Sequence, residues 1–136
     1  MNQFNHLGKT TDYPDHPDKA QLDTFDNPAP GRNYVIQLDC PEFTTLCPIT
    51  GQPDFARIEI NYTPDQKCIE SKALKLYLFS FRNIGSFHEA VTNRILDDLV
   101  AATQPKWMEI KGDFSVRGGI AIRVRAEHGE ALSKGY

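Results

Sequence analysis

No run in this 136-residue chain approaches the roughly 18–20 consecutive apolar residues that a membrane span requires. The opening stretch MNQFNHLGKT is polar and carries no apolar signal core, so neither export nor membrane insertion is expected and the predicted location is cytoplasmic. Cysteine is scarce. Three residues, an odd number without framework spacing, exclude a disulfide-stapled secreted mini-protein and fit a reducing compartment. Neither C-x-x-C nor H-x-x-x-H spacing occurs, so no metal is expected. Neither sign of charge dominates either: 15 Lys+Arg against 18 Asp+Glu leave −3, which argues against nucleic acid as a partner while permitting a local basic pocket. The chain also lacks G-x-G-x-x-G and G-x-x-x-x-G-K-[ST], so any nucleotide is held without a Rossmann turn or a Walker loop.

What is present is ordinary for a globular protein: 40% hydrophobic and 24% charged residues, at a length that suits one domain with its own core. Residues 1–32 read as a partly ordered N-terminal arm, because four of the nine prolines (Pro14, Pro17, Pro28 and Pro30) fall there among Asp, Asn and Gln. Residues 33–136 read as the single folded domain. Within it, Tyr34, Ile36 and Leu38 alternate with polar residues as a half-buried strand. Cys40 to Pro53 holds three prolines and a glycine, which predicts an irregular segment. Ala56, Ile58, Ile60 and Tyr62 form a clean amphipathic strand, and Lys67–Glu70 is expected to pair back on it as a hairpin.

The period then changes. Leu74, Tyr77, Leu78 and Phe81 predict a short helix starting near Ser71, which would serve as its N-cap. A second helix is expected from Ser86, with Ser86-Phe87-His88-Glu89 as a capping box and Phe87, Val91, Ile95 and Leu99 as its stripe. Thr103-Gln104-Pro105 should end it. Two final strands would turn Met108, Ile110, Phe114, Val116, Ile120, Ile122 and Val124 inward. The order ββααββ indicates an α+β fold, an antiparallel sheet with helices on one face. Its other face, with Arg57, Glu59, Arg123, Arg125 and Glu127, is polar.

Cys47 lies in Leu46-Cys47-Pro48-Ile49-Thr50-Gly51-Gln52-Pro53-Asp54, a proline- and glycine-shaped loop that holds a thiol in one place within reach of solvent. Asp54 follows where the loop re-enters a strand. A thiol near a carboxylate can pass on its proton as it attacks, and the acid can return one to the product; the spacing equally suits a plain loop cysteine and a turn aspartate. Lys72 and Lys75 share a face near a helix start, where they oppose the macrodipole. They are either a solvated face or the seat of an anion, and Arg117 before Gly118 and Gly119 is a turn cation that can approach the same anion. Glu89 is either a capping residue or a carboxylate that accepts two hydrogen bonds from the N–H edge of a guanine-like base.

Phe43 to Phe55 with its cysteine loop, Glu70-Ser71-Lys72-Ala73-Leu74-Lys75 and its continuation to Asn83, and Phe87-His88-Glu89, in that order, resemble the 7-cyano-7-deazaguanine nitrile reductases (the QueF family) in their short single-module form. The resemblance covers about Asn33 to Glu127. It implies the tunnelling fold (T-fold) and reduction of 7-cyano-7-deazaguanine to its aminomethyl form in tRNA queuosine biosynthesis, with two NADPH and no metal. It further implies Cys47 as the nucleophile that forms a thioimide, Asp54 as proton-transfer partner and His88 as a helper in proton movement. Ile69, Glu70, Ser71, His88 and Glu89 match positions that hold the deazaguanine, and Lys72, Lys75 and Arg117 match those that hold NADPH phosphates. A homo-oligomer of paired pentamers, a decamer with sites between subunits, is implied as well. The alternatives are a tunnelling-fold purine- or pterin-converting enzyme and a non-catalytic purine-binding module.

Overall fold

The computed structural model describes residues 13–131. The first twelve residues of the arm and the last five of the chain lie outside the described residues. Four antiparallel strands, β2 (Ile36–Leu46), β3 (Pro53–Thr63), β5 (Trp107–Arg117) and β6 (Ile120–Gly129), form one sheet in the order β2-β3-β5-β6. Two helices, α1 (Ser71–Phe79) and α2 (His88–Thr103), lie between β3 and β5 in sequence and pack on one face. A small second sheet pairs β1 (Thr24–Asp26) with β4 (Lys67–Ile69).

The alternation read from the sequence places the core. Ala56, Ile58, Ile60 and Tyr62 on β3 face the helices and are buried, flanked in register by Phe114, Gly112, Ile110 and Met108 of β5. The helices close this layer with Leu74, Tyr77 and Leu78 from α1 and Val91, Ile95 and Leu99 from α2. The opposite face is a lattice of cross-strand ion pairs: Arg57 to Asp39 at 3.0 Å, Lys111 to Glu59 at 3.6 Å and Arg123 to Asp113 at 3.3 Å. Gln104, in a left-handed conformation at φ 46°, stops α2 directly before Pro105.

Several local expectations change, among them the end of α1, which stops at Phe79 and leaves the buried Phe81 in the turn that follows. The segment expected to be irregular is mostly strand: β2 runs through Pro41 to Leu46, leaving only residues 47–52 as a loop. Proline is tolerated because β2 is an edge strand and its register with β3 shifts between Cys40 and Phe43, a bulge that leaves Pro41 outside the ladder. The Lys67–Glu70 segment does not fold back on β3. Both edges of β3 are already taken by β2 and β5, so β4 pairs with β1 instead.

The N-cap of α1 is Glu70, not Ser71; its carboxylate accepts from the N–H groups of Lys72 and Ala73, both at 2.9 Å. The capping box at Ser86 does not form. Helix α2 begins at His88 behind Phe87, which makes no side-chain cap, and the Ser86 hydroxyl donates to the Phe87 carbonyl. Last, Val116 and Ile120 are each 64% exposed and Ile122 37% exposed, around the turn that joins β5 to β6.

Candidate active site

Residues 47–52 form a closed loop at one end of the sheet. The Cys47 N–H donates to the Gln52 carbonyl at 2.8 Å and the Gly51 N–H to the Cys47 carbonyl at 2.9 Å, so two backbone bonds fix the loop on both sides of the thiol. Gly51, at φ 73°, supplies the left-handed residue that this tight closure needs. The half-buried Cys47 sulfur is met by the Thr50 hydroxyl and by the N–H groups of Ile49 and Thr50, which hold its pKa below the ordinary thiol value; burial and the Asp54 carboxylate oppose them more weakly. Cys40 shows the contrast. Burial pushes its thiol up to about 11, which leaves it inert at neutral pH.

Asp54 is the second residue of β3 and is buried, opposite Thr45 in register on the helix-facing side of the sheet. Its partner is the Arg117 guanidinium, with Nε 2.9 Å from Oδ1. The same guanidinium donates to Gln52 Oε1 at 2.7 Å and to the Pro53 carbonyl. The Thr45 side-chain hydroxyl is buried with no hydrogen-bond partner among the described residues, opposite this carboxylate in register.

The start of α2 is stitched to the same loop. The Leu46 N–H donates to the Ile84 carbonyl and the Ser86 N–H to the Leu46 carbonyl, one residue before Cys47. Gly85 packs against Pro48, where an added Cβ would stand 3.3 Å from Pro48 Cα. His88, the first residue of α2, stacks on Phe114 of β5 with ring centroids 3.9 Å apart. Gly112 makes this possible: any Cβ there would lie 2.8 Å from both the Phe114 ring and the Thr92 hydroxyl. Glu89 is exposed and, with no capping box formed, is the acidic residue in the first turn of α2. Cys47, Asp54, His88 and Glu89 are therefore carried to one end of the molecule by backbone bonds and one ring stack.

The other candidates lie elsewhere on the chain. Ile69 is buried in the core, with its N–H given to the Tyr62 hydroxyl at 2.9 Å. Tyr62 stands eight residues along β3 from Asp54, roughly 26 Å at strand rise. Glu70 and Ser71, next to Ile69, thus sit toward the opposite end of the sheet from Cys47. Lys72 and Glu70 line one cavity of about 520 Å³ under the Tyr13–Asp23 segment, and Ser71 and Lys75 line a larger one of about 650 Å³ between α1 and β2. Arg117 lines neither, since it is committed to the cysteine loop.

Sequence reasoning missed Gln52 and Pro53 as acceptors for Arg117, Phe114 as the platform for His88, and Arg82, which lines the larger cavity beside Lys75. Only Arg82 carried a signal, as the one cation in a largely apolar helix exit; the others depend on tertiary placement.

Comparison with known proteins gives the family. Residues 53–133, more than half of the chain, match the family model described as QueF-like protein. A protein of Anaeromyxobacter sp. (strain K) is 64% identical over 109 residues, covering 80% of this chain and 89% of the relative. One of Methylobacillus flagellatus is 63% identical over 112 residues (82% and 80%), and one of Halorhodospira halophila 58% over 107 residues (79% and 91%). All three are named NADPH-dependent 7-cyano-7-deazaguanine reductase. Among solved structures, the apo form of the archaeosine synthase QueF-Like matches with a TM-score of 0.67 at 23% identity, over 71% of this chain and 95% of that one. That likeness bears on the fold alone, and the fold is the expected α+β tunnelling type. On the match to the family model and on identities of this size, the chain belongs to the QueF-like family.

Proposed function

We propose that the protein reduces 7-cyano-7-deazaguanine to 7-aminomethyl-7-deazaguanine with NADPH, through a thioimide on Cys47. The observation that carries this reading is a thiol held below its ordinary pKa on a closed loop beside a buried carboxylate, in a chain 58–64% identical to three proteins named for that reaction. A nitrile is a poor hydride acceptor, and adding a thiolate first turns it into a C=N that is easier to reduce.

In the first step the Cys47 sulfur bonds to the nitrile carbon, and one electron pair of the C≡N bond moves to nitrogen. Asp54 takes the thiol proton and supplies a proton to that nitrogen. Two NADPH supply one hydride each, both to the former nitrile carbon. After the first, the sulfur leaves with the electrons of its bond and frees an imine; after the second, nitrogen takes the last proton. The balance is one nitrile, two NADPH and two protons to one amine and two NADP⁺. Glu89 accepts from the N–H edge of the base, and His88, steadied on Phe114, closes the other side of the pocket and assists proton movement.

The residues available suit NADPH. The cavity of about 650 Å³ is largely apolar, with Lys75, Ser71 and Arg82 on the helix side and Asp39 and Glu42 on the β2 side, while Lys72 lines the cavity of about 520 Å³. Lys75 and Arg82 would hold phosphates there, with Lys72 one helical turn from Lys75 on α1 as a further cation. Because Ile69, Glu70 and Ser71 lie toward the far end of the sheet from Cys47, a second copy of the chain brings its own set to complete the pocket. The exposed Val116, Ile120 and Ile122 around the β5–β6 turn, beside the edge strand β6, support a ring of subunits, in keeping with paired pentamers. The reading includes a role in tRNA queuosine biosynthesis, with the cytoplasm as the location.

Stoichiometry tests the scheme. Oxidation of NADPH followed at 340 nm, with the nitrile limiting, should consume about two NADPH per nitrile lost. A ratio of one, with an aldehyde or imine as end product, would contradict it.

A further inference from the structure

We propose that Arg117 is a positioning residue for the cysteine loop, clamping Asp54 and the last turn of that loop together. This deepens the reductase reading and rests on it only in the second arm of the test below.

The clamp is built from three contacts on three consecutive residues. Arg117 reaches Asp54 Oδ1 through Nε, Gln52 Oε1 through Nη1 and the Pro53 carbonyl through Nη2. All three nitrogens of the guanidinium are used, which only a planar fork of five N–H donors allows; an ammonium has no such span. Local backbone geometry aims it there. The register of β5 with β6 shifts between Phe114 and Arg117, and Gly118 and Gly119 turn the chain at φ 55° and 79°. Since Phe114 pairs with Ala56, Arg117 lies just beyond, over the first residues of β3.

Two links connect this clamp to the thiol. The backbone carbonyl of Gln52 receives the Cys47 N–H, so the residue gripped by Arg117 is also the one that closes the loop on Cys47. The groups that act on the Cys47 sulfur are the Thr50 hydroxyl and the Ile49 and Thr50 N–H groups of its own loop and the Asp54 carboxylate of β3, which Arg117 of β5 pairs, while His88 and Glu89 stand at the start of α2 tied to the same loop. Asp54 disfavours the thiolate, and the guanidinium offsets that charge. Without Arg117 a buried carboxylate would stand unopposed beside the sulfur, and the loop would lose its anchor.

The test uses the full-length protein and two variants, Arg117→Ala and Arg117→Lys. In the first arm, iodoacetamide alkylation of the Cys47 peptide is followed by mass spectrometry across pH, with neither nitrile nor NADPH present. Wild-type Cys47 should react with a midpoint below that of a free thiol at about 8.5. Arg117→Ala should move that midpoint upward and slow alkylation at neutral pH about tenfold. Arg117→Lys restores the charge without the fork and should fall between the two; it is also read if the alanine variant fails to fold.

In the second arm, formation of the Cys47 adduct with the cyano substrate, without NADPH, should slow about tenfold in Arg117→Ala while KM for NADPH stays within about twofold of wild type. An unchanged alkylation profile in a folded Arg117→Ala overturns the proposal, as does a raised NADPH KM with unchanged adduct formation, which would return Arg117 to the cofactor phosphates. Should wild type form no adduct at all, the reductase reading fails while the alkylation arm still judges the clamp.

Discussion

Replacing Cys47 with alanine is expected to lower nitrile turnover by at least about 10³-fold, because no other group can form the bond that activates the nitrile. The remaining cysteines cannot substitute. Cys68 is buried, and burial holds the Cys40 thiol at about 11, on a strand away from the loop. The same change should leave the fold intact. Cys47 is only half-buried, its backbone bonds to Gln52 and Gly51 survive the substitution, and changes at such sites cost within about 0.5 kcal/mol. Steady-state kinetics and a thermal melt on one preparation check both halves. Residual turnover near that of wild type would remove Cys47 from the mechanism.

Glu89→Ala should raise KM for the cyano substrate about 10- to 100-fold, the loss expected when a two-pronged acceptor of a base edge is removed. The structure separates this from a stability effect. Had the capping box formed, the carboxylate would have been occupied by the backbone at the helix start. It is not: Ser86 donates to the Phe87 carbonyl, and Asn93 Nδ2 donates to the Glu89 backbone carbonyl, which alanine retains. Losing a first-turn carboxylate from α2 should therefore cost only about 0.3–1 kcal/mol through the helix dipole. Glu89→Gln keeps the shape but turns one acceptor into a donor, so it should bind nearly as poorly as alanine. A lowered melting temperature with unchanged KM would make Glu89 a purely structural residue.

The fold was legible wherever hydrophobic period alone decides structure. Ala56 to Tyr62 and Leu74 to Leu78 read directly as a strand and a helix because each buries one face, and Met108 to Phe114 of β5 followed from the same rule, whereas β6 is a strand that buries neither face. What escaped the sequence depends on partners distant along the chain. The bulge that carries β2 past Pro41 exists because that strand is an edge, a fact fixed by sheet order. Likewise β4 could not pair with β3 once β5 had taken that edge, and Thr24–Asp26 inside a proline-rich arm gave no sign of being its partner.

The candidate site divides in the same way. Cys47 and Asp54 were visible because only the six residues of a proline- and glycine-shaped loop separate them. Arg117 was visible only as a cation before two glycines, and its lock on Gln52, Pro53 and Asp54 needed the β3–β5 register to appear. Ile69, Glu70 and Ser71 were picked out by motif; their distance from Cys47 within one chain is a consequence of β3 being eleven residues long.

The central claim is a covalent bond between Cys47 and the nitrile carbon. Intact-protein and peptide mass spectrometry after incubation with 7-cyano-7-deazaguanine, in the absence of NADPH, tests it most directly. The account predicts a gain equal to the whole mass of the nitrile, since addition expels nothing, located on the peptide that contains Cys47. An unchanged protein mass, or an adduct found on Cys40 or Cys68 instead, would contradict it.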